Sequence, residues 1–181
     1  MVKAYLFPYG ETNMLLPFNN LPDHSRIWIY QASRPLNSAE VSIISDELSA
    51  FTNEWTAHGI PLKASFDIRF QQFVILSADE HAQEASGCSI DDSVRKVKEI
   101  EGKIGSVDLF DRKRIAFLID NEVATIQMED LKKEFNNGVW HGGTLVFNNL
   151  VKSKGELSSG WLVPAEITWL KRYLPSETIA R

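Results

Sequence analysis

A single cysteine in 181 residues leaves no partner for an intramolecular disulfide, and Cys88 therefore points to a reducing compartment. Long apolar runs are also missing. No stretch approaches the ~20 apolar residues of a membrane span. At the N-terminus the run Ala4-Tyr5-Leu6-Phe7 is stopped by Pro8, short of a secretory core. The expected location is the cytoplasm. Positive charge is in deficit, with 19 Lys and Arg against 24 Asp and Glu and a net charge of −5. Nucleic-acid binding, which needs clustered Lys and Arg, is disfavoured. The densest basic groups, Arg112-Lys113-Arg114 and Arg95-Lys96 with Lys98, are short and have acids close by, as on a solvated face. Phosphate-loop chemistry has no basis: no Gly-x-x-x-x-Gly-Lys-Ser/Thr run exists, and Lys152-Ser153-Lys154-Gly155 lacks the preceding glycine. Gly-x-Gly-x-x-Gly and Gly-x-Ser-x-Gly are absent too. The four histidines, His24, His58, His81 and His141, do not show the spacing of a zinc ligand set, and His81 with Cys88 is a weak pair. Neither a metal nor a cofactor is expected.

What the chain does have is core-forming material. Hydrophobic residues make up 44%, including ten Phe and five Trp, enough to fill an interior without a staple. At this length a chain buries about 70% of its unfolded surface.

The periodicities predict an α+β fold. Residues 1–25, with Pro8, Gly10, Pro17 and Pro22, read as an irregular arm. Arg26-Ile27-Trp28-Ile29-Tyr30 is a first strand. Asn37 or Ser38 caps a helix from about Ala39 to His58, whose Val41, Ile44, Leu48, Phe51 and Trp55 form one apolar stripe. Gly59 ends that helix, with His58 as a cation near its C-terminus. Leu62, Ala64, Phe66, Ile68 and Phe70 alternate with polar residues, giving a half-buried strand suited to a sheet edge. Phe73-Val74-Ile75-Leu76 is a strand buried on both faces, paired antiparallel to it through a turn near Gln71. Ser89 or Asp91 opens a second helix. Arg114–Ile119 and Val123–Ile126 are further strands around the turn Asp120-Asn121. Strand, helix, strand, strand, helix, strand is the order of the split β-α-β, or ferredoxin-like, plan, a mainly antiparallel sheet with helices on one face. The expected layout is one domain: an arm (1–25), a ferredoxin-like core (26–126) and a C-terminal extension (127–181). That extension carries a short helix, Glu129–Asn137, a strand, Thr144–Phe147, and a last helix opened by Pro164.

Chemistry, on this reading, sits where the second helix begins. In Ala85-Ser86-Gly87-Cys88-Ser89-Ile90-Asp91, Gly87 permits a positive φ or close approach, and Ser89 with Asp92 resembles a capping box. Cys88, just ahead of the first turn, would have its thiolate favoured there. An anion could instead take the same backbone amides, beside Ser86, Gly87 and Ser89. We expect the first and third strands to lie side by side and parallel, so that Gln31-Ala32-Ser33-Arg34 neighbours the loop from Asp79 to Ser89. Arg34 would then hold an anion or thiolate, and Asp79 or His81 would supply a base.

Three stretches carry a resemblance: Ile29-Tyr30-Gln31-Ala32-Ser33-Arg34-Pro35-Leu36, Trp55-Thr56-Ala57-His58-Gly59-Ile60-Pro61-Leu62-Lys63-Ala64 and Ala85-Ser86-Gly87-Cys88-Ser89-Ile90-Asp91. They resemble a family of uncharacterised Bacteroidetes proteins of about this length, often labelled "ABC transporter ATPase". That label implies a phosphate loop and a signature sequence, and this chain has neither. The resemblance implies no activity and assigns no functional residue.

Two functions follow. One is a non-catalytic binding or interaction module, with a pocket at the Arg34 and Cys88 loops for a small anionic ligand or a protein partner. The other is an enzyme with Cys88 as nucleophile, His81 or Asp79 as base and Arg34 as substrate clamp. A homo-oligomer paired along the Leu62–Phe70 edge is a third possibility, which the polar Lys63, Asp67 and Arg69 mildly oppose.

Overall fold

The alternating stretch Leu62–Phe70 and the apolar run Phe73–Leu76 set the middle of the fold. A computed structural model describes residues 16–81 and 84–175. The arm up to residue 15 and the last six residues lie outside that range. In chain order the elements are β1 (Arg26–Gln31), α1 (Ser38–Glu54), β2 (Thr56–Ala57), β3 (Ile60–Pro61), β4 (Lys63–Arg69), β5 (Phe73–Asp79), α2 (Gly87–Ile104), β6 (Arg114–Ile119), β7 (Glu122–Gln127), α3 (Leu131–Asn136), β8 (Leu145–Phe147), α4 (Glu156–Ser159) and β9 (Leu162–Pro164). The result is a mixed α+β fold with antiparallel sheets.

β5 is the centre of a three-stranded sheet ordered β1-β5-β4. Successive side chains of a strand point to opposite faces. Val74 and Leu76 therefore meet Ile44, Leu48, Val97 and Ile100 of the two long helices. Phe73 and Ile75 meet Ala116, Phe147, Leu157 and Trp161 on the other side. This is why the run Phe73-Val74-Ile75-Leu76 has no polar member. The half-polar β4 lies at the sheet edge, as its alternation predicts, with Asp67 and Arg69 paired at 2.8 Å.

The second sheet, ordered β7-β6-β8-β9, has two packed faces of its own. Ala116 faces the first sheet. Its neighbour Phe117 faces the opposite way, into a cluster with Leu131, Trp140, Ala165 and Leu170. A helix layer, two sheets and a layer of short helical turns thus stack in sequence. Residues on both sides of position 127 build one sheet.

The ferredoxin-like expectation is met only in its first half. The order β1-β5-β4 and the helices on one face fit that plan, but β6 joins the second sheet instead of the outer edge of β1, where Arg26 bridges Ser153. The expected parallel pairing of the first and third strands is wrong: β1 and β5 run antiparallel, with Arg26 opposite Ala78 and Gln31 opposite Phe73. The cause is local. The tight turn at Phe70 and Gln71, both with positive φ, sends β5 back along β4. The crossover through α1 brings β4 into the direction of β1, so a strand between them must oppose both.

Other boundaries also shift. α1 ends at Glu54, not His58, because His58 (φ 52°) and Gly59 (φ 77°) form the turn of the β2–β3 hairpin. Positive φ at both turn residues is the hairpin signature. Pro164 ends β9 and leads into 3₁₀ turns at Ala165–Ile167 and Trp169–Tyr173 instead of an α-helix.

Candidate functional site

Arg34 and Cys88 do not meet. Arg34 donates to both carboxylate oxygens of Glu40, at 2.7 and 3.0 Å, and to Ser106 Oγ at 3.0 Å. Ser106 lies just beyond the C-terminal end of α2, while Cys88 is in its first turn. An 18-residue helix, about 27 Å long, lies between them. This follows from the antiparallel β1–β5 pair. The residues after β1 lie by the β4–β5 turn, where Ala32 N–H donates to the Gln72 carbonyl at 2.8 Å, and not by the loop after β5.

Arg34 is a structural clamp. Glu40 completes a reciprocal capping box with Asn37, donor and acceptor distances being 2.9 and 3.0 Å. The Arg34 guanidinium, and secondarily the Asn37 backbone, hold the Glu40 carboxyl below the usual carboxylate range against the opposing pull of burial. A carboxyl lowered by folding stabilises above its ordinary pKa and loses that contribution as pH falls through its folded value. Replacing Glu40 by Gln is therefore expected to lower the melting temperature near neutral pH, with the deficit shrinking on acidification. Melting curves across pH check this, and a deficit independent of pH would show that the ion pair contributes nothing.

The start of α2 is likewise occupied by structure. Ser86, rather than Ser89 or Asp91, is the N-cap, its hydroxyl accepting the Ser89 N–H at 3.2 Å. Ser89 is buried, and its carbonyl accepts the Trp55 indole N–H at 3.0 Å. Gly87 has open space around its Cβ position and no positive φ, so neither expected use of that glycine applies. Cys88 is exposed. Among the described residues, no hydrogen bond or ion pair joins it to Asp79, His81 or Arg34.

Asp79 and His81 do find a partner, one the sequence reading passed over. Antiparallel pairing sets the chain before β1 against the end of β5, and His24 lands on both. Its Nε2 lies 3.0 Å from Asp79 Oδ1. Its ring stacks on His81 with centroids 3.7 Å apart and planes 19° from parallel. The His81 backbone N–H donates to Asp79 Oδ1 at 3.1 Å. That bond first, and His24 second, hold the Asp79 carboxyl below the usual carboxylate range. One nitrogen or oxygen from each of the three side chains lies within 4.8 Å of the others.

The mount is firm. Asp79 is the last residue of the central strand, opposite Lys63 of β4, and its side chain is 11% exposed. His24 rides on a segment tied to the loop after β8: Lys154 N–H donates to Ser25 O and Gly155 N–H to Asp23 O, each at 2.8 Å. A Cβ at Gly155 would come within 3.2 Å of Asp23 Cβ, so a larger residue there would press on this segment. Beside the cluster a cleft of about 440 Å³ is lined by His24, Arg26, Ile27, Trp28, Glu80 and Lys152. Arg26 lies over the Trp28 ring, 5.0 Å from its centroid, and 3.4 Å from Glu80.

Asp79-x-His81 was visible in the sequence. His24, 55 positions before Asp79, was not, because only the strand direction joins them. Comparison of the chain with family models, with curated proteins and with solved structures finds no match. No helix among the described residues is long and apolar enough to cross a membrane.

Proposed function

We propose that this chain is a non-catalytic binding module whose ligand, a small anionic molecule or an acidic group on a partner, sits in the cleft between the start of β1 and the end of β5. The observation that carries it is the convergence of His24, Asp79 and His81 beside Arg26, Trp28 and Lys152 on a rigid strand end. Arg26, stacked on the Trp28 ring, and Lys152 set two cations along the wall, the groups that an acidic ligand would meet. Among the described residues neither Asp79 nor His81 is hydrogen-bonded to Cys88, and Arg34 is held by Glu40, so these contacts give a thiol mechanism no support.

Backbone amide NMR shifts with inorganic phosphate as the probe test the placement. The expected shifts fall on residues 24–28, 79–81 and 152. Shifts centred on Arg34 and Ser106, or around Cys88, or no shifts at all, would reject this cleft as the binding surface.

A further inference from the structure

We propose that His24, Asp79 and His81 are the protein ligands of a divalent transition cation of the zinc class. The inference rests on the cleft reading for its place and gives that cleft its chemistry. Two imidazole nitrogens and one carboxylate oxygen are borderline donors. Zinc, cobalt, nickel and copper take such sets, whereas magnesium and calcium take oxygen alone.

The geometry lies close to what coordination asks. With bonds of about 2.0–2.1 Å, tetrahedral ligand atoms stand about 3.3 Å apart. His24 Nε2 and Asp79 Oδ1 are already at 3.0 Å, and all three ligand atoms fall within 4.8 Å of one another. The two rings are stacked nearly parallel, so one must turn out of the stack for both nitrogens to face a common ion; His24 and His81 are both exposed, which lets a ring turn without moving the core.

The supports around the ligands match those of metal sites, where outer groups fix the inner ones. Asp79 is pinned by its pairing with Lys63 of β4 and by the His81 backbone N–H. His24 is fixed by the backbone ties of Asp23 and Ser25 to Lys154 and Gly155. Three protein ligands leave one tetrahedral position open, the arrangement of sites that bind a further ligand through the metal.

Charge gives the metal a role in that binding. Arg26 and Lys152 in or beside the cleft are offset by Asp79 and Glu80, two cations against two carboxylates, so the side chains alone sum to zero. A divalent cation on Asp79 would turn the cleft positive and present the open position to an anionic group entering past Arg26 and Trp28.

Zinc titration into the full chain, followed by calorimetry, tests this directly. The expected result is one zinc per chain, with affinity reduced at least about 100-fold in His24→Ala and in His81→Ala, since even outer-shell losses cost 10–100-fold. Cys88→Ser, which removes the competing thiol, should leave the affinity unchanged. Circular dichroism should show both His variants folded, as befits exposed positions. No zinc binding, or binding undiminished in either His variant, overturns the proposal. Zinc alone reads the metal and phosphate alone reads the cleft, so failure of one leaves the other standing.

Discussion

Phe73→Ala should lower the unfolding free energy by about 3–5 kcal/mol, the range for removing a fully buried aromatic side chain. Phe73 is 0% exposed. Its ring lies 4.6 Å from that of Phe147 and 5.1 Å from that of Trp161, centroid to centroid. It therefore fills the seam between the two sheets, and its loss leaves a cavity bounded by two rigid ladders that cannot collapse into it. Phe70 touches the same rings from the turn but is 49% exposed, so Phe70→Ala should cost clearly less. Urea denaturation of the three proteins measures both effects. Equal losses would mean that the seam is looser than its contacts imply.

Trp140→Ala should be comparably severe and should also report on cooperativity. Trp140 is 0% exposed on the outer side of the second sheet, packed on Phe117 and Phe135, and its indole N–H donates to the Leu131 carbonyl at 2.9 Å. Removal loses the burial and leaves that carbonyl without its partner, at a combined cost of about 3–5 kcal/mol. Because Ala116 and Phe117 of one strand serve both faces of the second sheet, damage there should reach the helix layer. The variant is expected to unfold in one transition at lower denaturant, followed equally by helical circular dichroism and by tryptophan fluorescence. A separate early transition, with helical signal retained, would show two independent units.

Patterns confined to one segment were legible from the residues. The alternation at Leu62–Phe70, the four-residue apolar run after it, the stripe on α1 and the Asp120-Asn121 turn each depend on neighbours in sequence, and each formed. Gly59 shows where such reading stops. A glycine with positive φ ends helices and turns hairpins alike, so His58-Gly59 carried the same signal for both uses. Pro164 is similar, since its fixed φ suits a strand end as well as a helix start.

The candidate site failed and re-formed for one non-local reason. The α1 crossover returns β4 along the direction of β1 and the Phe70-Gln71 turn reverses β5, so the two together require β5 to oppose β1, a combination that the parallel expectation missed. Parallel strands would have joined Arg34 to the Cys88 loop. Antiparallel strands gave Arg34 to Glu40 and brought His24 to Asp79 and His81. Two of the cluster's three members, Asp79 and His81, are the residues that the sequence offers as a base for Cys88. Their actual neighbour came from the turn before the first strand.

Anomalous diffraction from zinc-soaked crystals, recorded at the zinc absorption edge, tests most directly where this protein's working surface lies. A single strong peak between His24, Asp79 and His81 is the result this account predicts. Peaks only at Cys88, His58 or His141, with none beside Asp79, would contradict it.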